Sequence, residues 1–226
     1  MKMKSLILTL TTVACVAASA SAGDVTGKIS LTGTPPPERD IPMDPTCGKL
    51  HQGKATTRFY VTDGAGGLGD CVVYLEGAKG GTSNGATIDQ KGCEYLPYVS
   101  SSQVNQPIKV LNSDTVLHNV HPTPAADGNK EQNKAQLPKG PALEFSFAKP
   151  ENFLRFKCDV HPWMFAYVSV FEHGFHTVSA KDGSFKITGV PDGKYKLVVE
   201  HRKAGKTEKM IEVKGGAKAD LTLAVK

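Results

Sequence analysis

NFLRFKCDVHPWMFAYVSVFE, residues 152–172, holds two runs rich in aromatic and apolar residues, NFLRFKC (152–158) and FAYVSVFE (165–172), separated by a proline-bearing break. Such runs read as strands. Cys158 then closes one strand, Asp159 to Trp163 form a tight turn, and Met164 opens the next. A thiol, an imidazole (His161) and a thioether therefore stand close enough to converge on one point, which is a metal-ligand pattern.

Working outward, short runs rich in Val, Ile, Phe and Tyr recur between clusters of Gly, Pro, Asn and Asp, and no stretch beyond the N-terminus holds a helical period. Strands are expected at 25–33, 56–62, 71–77, 94–101, 106–113 and 115–122, and again at 143–149, 152–158 and 165–172. That many short strands predicts an all-β chain, a sandwich with Greek-key connections. Thr123 to Ala142 is polar and interrupted by Pro and Gly, and reads as a long surface loop. After Phe175 the pattern changes to strand-like runs punctuated by Asp182-Gly183, Pro191-Asp192-Gly193 and Gly215-Gly216, in which four short strands fit. A unit of about fifty residues has a marginal core, so it is expected to pack on the main domain or to recruit the N-terminal strand.

A fourth ligand must come from a neighbouring strand, and LHNVH supplies His118 and His121. Side chains alternate along a strand, so residues three apart face opposite ways and at most one of the two can serve; His118 is taken as the ligand. Two imidazoles, a thiolate and a weak thioether suit copper in both oxidation states, whereas Met is an unusual ligand for zinc. With every position filled by protein, no open site is left for substrate or activated water, so the expectation is one copper ion serving an electron carrier and not an enzyme.

CDVHPWM and LHNVH resemble the cupredoxins, and the Cys-x-x-His-Pro-x-Met spacing is most similar to that of the amicyanin type. EYLPYVSSSQVNQPIKVLNSDTVLHNV resembles the plastocyanin-type strands that lead to the ligand histidine, so the likeness covers residues 56–172. It implies His118, Cys158, His161 and Met164 as ligands of a type 1 blue copper site. Asn119 is implied as the brace of the ligand loop, and His161 as the ligand nearest solvent. Pro162 and Trp163 are then a candidate docking rim for redox partners such as a cytochrome, a dehydrogenase or an oxidase. GSFKITGVPDGKYKL resembles the carboxypeptidase regulatory-like, transthyretin-like β module, whose usual role is structural.

The N-terminus, MKMKSLILTLTTVACVAASASAG, has Lys2 and Lys4, an apolar stretch and the series Ala20, Ser21, Ala22, and reads as a cleaved export signal with a periplasmic destination and no span left in the mature chain. The lead-in to Cys15 is poor for a lipoprotein anchor. Removing its two lysines leaves 25 basic against 22 acidic residues, so the formal charge falls from +5 to +3, and the lysines are interspersed with acids, which argues against nucleic-acid binding. Four cysteines remain. In an oxidising compartment Cys47 and Cys93, both in loop-like contexts, are the expected disulfide, and Cys71 is expected to be a buried inert thiol. His51, His121, His173, His176 and His201 lack ligand spacing and are assigned surface or capping roles. The expected organisation is a signal (1–22), an N-terminal strand and loop (23–55), a copper domain (56–174) and the C-terminal β module (175–226). Copper delivery or storage, and a scaffold or adhesion role for the β modules, are the competing functions; methionines are too sparse for an open Met-rich transfer site.

Overall fold

The computed structural model describes residues 21–226; the expected export signal and Cys15 lie outside them, apart from Ser21 and Ala22. The chain begins with β1 (Ala22–Thr32) and a short helix, α1 (Pro45–Leu50), whose first turn is capped by the Asp44 carboxylate accepting from Thr46 N and Cys47 N. Then come β2 (Val72–Glu76), β3 (Ala86–Gln90), β4 (Tyr95–Leu96), β5 (Val99–Gln103), β6 (Ile108–Asn112), β7 (His118–Thr123), β8 (Lys134–Gln136), β9 (Leu143–Phe145), β10 (Glu151–Lys157) and β11 (Phe165–Phe171). The C-terminal part adds β12 (His176–Val178), β13 (Ser184–Pro191), β14 (Gly193–His201), β15 (Gly205–Val213), β16 (Ala217–Lys218) and β17 (Leu221–Ala224). The described chain is all-β apart from α1.

These strands form two sandwiches. In the first, a sheet ordered β5-β11-β10-β7-β8 packs on one ordered β4-β3-β6-β9. Their shared core includes Ile88, Tyr95 and Val110 from one sheet and Leu154, Phe156 and Val168 from the other. In the second, β1 pairs with β13, β16 and β17, and this sheet packs on one ordered β12-β2-β14-β15 around Ile29, Leu75, Ile187 and Leu197. Gly27 in β1 has no alternative there, because a Cβ would lie 1.9 Å from the carbonyl oxygen of Ala219.

Hydrogen bonding crosses the expected boundary between residues 174 and 175: β2, from the segment assigned to the copper domain, pairs antiparallel with β14. β11 is buried along nearly its whole length because each of its faces meets a core. Ala166, Val168 and Val170 point into the first sandwich, while Tyr167 and Phe171 join Val72, Tyr98 and Val99 in a cluster between the two sandwiches.

Several strand expectations change. TTRFYVT forms only isolated bridges at Thr56 and Thr62, since Thr57 N bonds Arg39 O and Tyr60 N bonds the Glu38 carboxylate, which leaves no free ladder to extend. The run 94–101 divides into β4 and β5 at Pro97, which has no N–H to give. Residues 134–136 of the expected loop form β8, the C-terminal part holds six strands instead of four, and β3 and α1 were not foreseen.

Two histidines are built into the joint between elements as neutral rings. His201 accepts from Lys203 N and Ala204 N through Nδ1 and stacks on Tyr60, with centroids 5.5 Å apart. His176 lies on Phe171, with Nδ1 2.8 Å from Ser101 Oγ. Burial pushes each pKa down to about 4. The unfolded chain, with histidine near 6.5, then binds more protons than the folded one between pH 6.5 and 4, so stability is full above that window and lost as pH falls through it. Between pH 7 and pH 4.5 the two rings should cost on the order of 5 kcal/mol, offset in part by the buried Asp70 carboxyl, which burial raises to about 6; a His176→Phe, His201→Phe variant with the same pH dependence of its urea midpoint would count against neutral burial of these rings.

Candidate metal centre

β10 pairs antiparallel with both β11 and β7, and these pairings position the site. Lys157 is opposite Phe165 on one side and His121 on the other, so the turn after β10 emerges beside the start of β7. The turn is closed by Cys158 N to Met164 O at 3.0 Å and Met164 N to His161 O at 2.8 Å. Cys158, His161 and Met164 are all buried, and His118 at the start of β7 is 0% exposed.

One nitrogen of each of His118 and His161, and the sulfur of Cys158, lie within 4.8 Å of one another. His118 Nδ1 is 3.0 Å from His161 Nδ1, which is 3.6 Å from Cys158 Sγ. Two imidazole lone pairs facing each other at that distance need a proton or a cation between them. Met164 is buried in the same apolar cluster as Cys158. His121 turns the other way, its Nδ1 2.6 Å from Asp159 Oδ2 and its Nε2 2.5 Å from Glu131 Oε1. The alternation along β7 accounts for this division of labour.

Asn119 holds the turn to β7. Its Oδ1 accepts from Asp159 N at 2.7 Å and from Val160 N at 3.3 Å, and its own backbone N–H donates to Cys158 Sγ at 3.5 Å. Its Nδ2 donates to Asn133 Oδ1 at 2.6 Å.

Asp114, which the sequence reading passed over, is the residue that orients His118. Its Oδ2 is 3.0 Å from His118 Nε2 and accepts from Cys93 N at 2.8 Å, while Oδ1 accepts from Gly92 N at 2.6 Å. A carboxylate on the outer nitrogen turns the other nitrogen inward and makes it a better donor. The available signal was a carboxylate four residues before a candidate ligand histidine. Beneath it, Asn112 Nδ2 donates to the carbonyls of Val116, Gln136 and Leu137, fixing the loop between β6 and β7.

Burial acts to lower the His118 pKa, but hydrogen bonds to Asp114 and Cys158 outweigh it and the net direction is upward. Burial acts to raise the Cys158 thiol, yet hydrogen bonds from His118 and from backbone N–H groups bring it below its ordinary value, toward the thiolate that binds metal. His161 is shifted down by burial and by the neighbouring His118 charge. The donor set fits a copper ion: two inward nitrogens, a sulfur biased to the anion, and a dry surround.

His161 is the most exposed of the four candidate ligands, as the resemblance implies, yet it is largely covered. It is 8% exposed, because α1 and its cap lie over it: Asp44 Oδ2 is 3.8 Å from His161 Nε2, and a ring nitrogen lies within 4.8 Å of the Cys47 and Cys93 sulfurs, which are joined in a disulfide. Trp163 is half-buried against the same cover, with Nε1 donating to Cys93 O at 3.1 Å and its ring 5.4 Å from that of His161. Pro162 is exposed. Cys71 is buried with a free thiol that burial raises to about 12, which makes it inert.

No protein-family model matches the chain, and no curated protein sequence matches it. Among solved structures it is similar to a Cu(I)-form variant of amicyanin, at 15% identity and a TM-score of 0.34, covering 43% of this chain and 97% of that one. It is also similar to a copper-containing nitrite reductase from Thermus scotoductus SA-01, at 18% identity and a TM-score of 0.35, covering 58% of this chain and 27% of the reductase.

Replacing Asn119 with Ala removes the acceptor for two turn N–H groups and should lower the unfolding free energy by roughly 1–3 kcal/mol, read by urea titration of the metal-free protein. A loss no larger than that of an exposed control such as Asn152→Ala would show that the brace is not needed.

Proposed function

We propose that this chain is an exported type 1 copper protein that carries single electrons between redox partners, with His118, Cys158, His161 and Met164 holding the ion. The observation that supports this most is the convergence of His118, His161 and Cys158 in a buried pocket, with the outer nitrogen of His118 bonded to the Asp114 carboxylate and that of His161 3.8 Å from the Asp44 carboxylate. A copper ion held there supplies one-electron Cu(II)/Cu(I) chemistry.

The protein's part is to hold and to shield. Asp114 fixes the tautomer and direction of His118, and Asn119 keeps the Cys158 sulfur at a set place through its backbone N–H. α1 and the disulfide exclude water from the His161 side. Donors locked by hydrogen bonds on strands move little when charge changes, and small rearrangement is what fast electron transfer needs. Delivery or storage asks instead for an exposed, exchangeable ligand set, which the burial of these four side chains disfavours. We further propose two functional units: a copper unit formed by the first sandwich, and a structural unit that combines β1 and β2 with the C-terminal strands.

Copper(II) loading should give an intense visible absorption that disappears on reduction, together with the narrow-hyperfine paramagnetic resonance signal of a copper thiolate. Cys158→Ser should abolish the colour, and persistence of the band in that variant would refute the assignment. Met164→Leu should keep the colour and raise the reduction potential, because a lost axial donor disfavours Cu(II); voltammetry of the two proteins side by side decides it.

A further inference from the structure

All four candidate ligands are buried, so a partner has to reach the site through the side chains that cover it, and one face beside Trp163 carries a concentration of charge on aromatic rings. Trp163, Phe165, Tyr98, Phe59, Arg58 and Ile41 line an open, largely apolar groove of about 230 Å³. Three of the four arginines in the chain stack on this aromatic cluster. Arg58 lies 4.3 Å from the Tyr98 ring centroid, Arg155 4.8 Å from Phe165 and Arg202 3.5 Å from Tyr167, while Lys203 Nζ is 4.5 Å from Phe59. The rings themselves are contiguous: Phe165 is 5.8 Å from both Tyr98 and Tyr167.

A guanidinium over a ring presents its remaining edge N–H donors to solvent, and that edge matches a carboxylate; one donor of Arg202 goes to Tyr98 Oη at 3.4 Å. Arg155, Arg202 and Lys203 are exposed. Of the nearby acids, Glu94 pairs with Arg58 at 3.5 Å, Glu38 is engaged by Thr57 and Tyr60 N, Asp40 pairs with Lys54 at 2.6 Å, and Asp70 lines the small adjoining cavity together with Arg58 and Arg202. The rim is therefore cationic toward solvent around an apolar floor, and Trp163 belongs to that floor while its ring sits 5.4 Å from His161.

We propose that this groove is the docking surface for a redox protein with a carboxylate-rich face, Arg155, Arg202 and Lys203 steering it and Trp163 making the contact nearest the metal centre. The inference rests on the copper-carrier reading for its purpose, but its binding half does not require metal. The step served is the passage of one electron from the reduced centre of that partner to the bound Cu(II), with no atom transferred.

The chain has a single tryptophan, so its indole N–H is one resonance and a direct reporter. Paramagnetic hexacyanochromate(III), added to the metal-free full chain, should broaden the Trp163 indole and the Arg58 and Arg202 amides first, and poly-L-glutamate should restore them. Arg155→Glu with Arg202→Glu should abolish the effect. Broadening centred on the lysines of β13 to β15, or unchanged in the double variant, would overturn the proposal, as would failure of poly-L-glutamate to compete, which would mark a small-anion site. If the stacked arginines served only to join the two sandwiches, the double variant would lose stability with no change in anion preference, and that too would overturn it. In the copper-loaded protein, reduction by hexacyanoferrate(II) should slow about tenfold in the double variant while reduction by hexaammineruthenium(II) does not; equal changes for both reagents would refute steering. A chain that binds no copper would fail this last arm and leave the metal-free mapping intact, so the two readings are separable.

Discussion

The pairing of β10 with strands on both of its sides is the constraint on which the candidate centre depends. Antiparallel registry with β11 makes residues 158–164 a closed turn, and antiparallel registry with β7 sets the first residues of that strand beside it. Asn119 then converts adjacency into fixed geometry, because one carboxamide accepts from two successive turn N–H groups. A slip of one residue in the β7–β10 pairing would send His118 to the face that His121 now occupies, and a slip between β10 and β11 would break the closed turn.

A polar apparatus inside an apolar sandwich is costly unless every group is met, and here nearly all are. Asp114, buried at 5% exposure, receives two backbone N–H groups and the His118 ring. Asn112 and Gln136 spend their amide hydrogens on carbonyls of the surrounding loops. Gln90 Oε1 is the exception among the described residues near the site, a buried oxygen with no partner. This layer holds the His118 side of the site, as α1, Asp44 and the disulfide hold the His161 side.

The second sandwich bears on the first through β11. Its outer face, Tyr167 and Phe171, is covered by residues of β2 and β5, so a strand next to the turn has little room to move. Where the two sandwiches leave the outer face uncovered, arginines lie on the rings instead. Stacked cations shield aromatic surface and keep it soluble while leaving donors for a partner.

By itself the sequence determined the class of fold and the local chemistry. Period-two runs between Gly and Pro breaks need only nearest neighbours to be read, so most strands, the tight turn 159–163 and the opposite facing of His118 and His121 were legible. TTRFYVT misled because its backbone donors are satisfied by Arg39 O and the Glu38 carboxylate, partners from a preceding arm that no local pattern announces. Only the tertiary structure decided that Asp114 reaches His118, that α1 and the Cys47–Cys93 disulfide close over His161, and that β2 joins the C-terminal strands as well as the expected N-terminal strand β1. Each of these is a contact between segments whose own sequences are compatible with many partners, and which partner wins is settled by how the whole set of faces is buried at once.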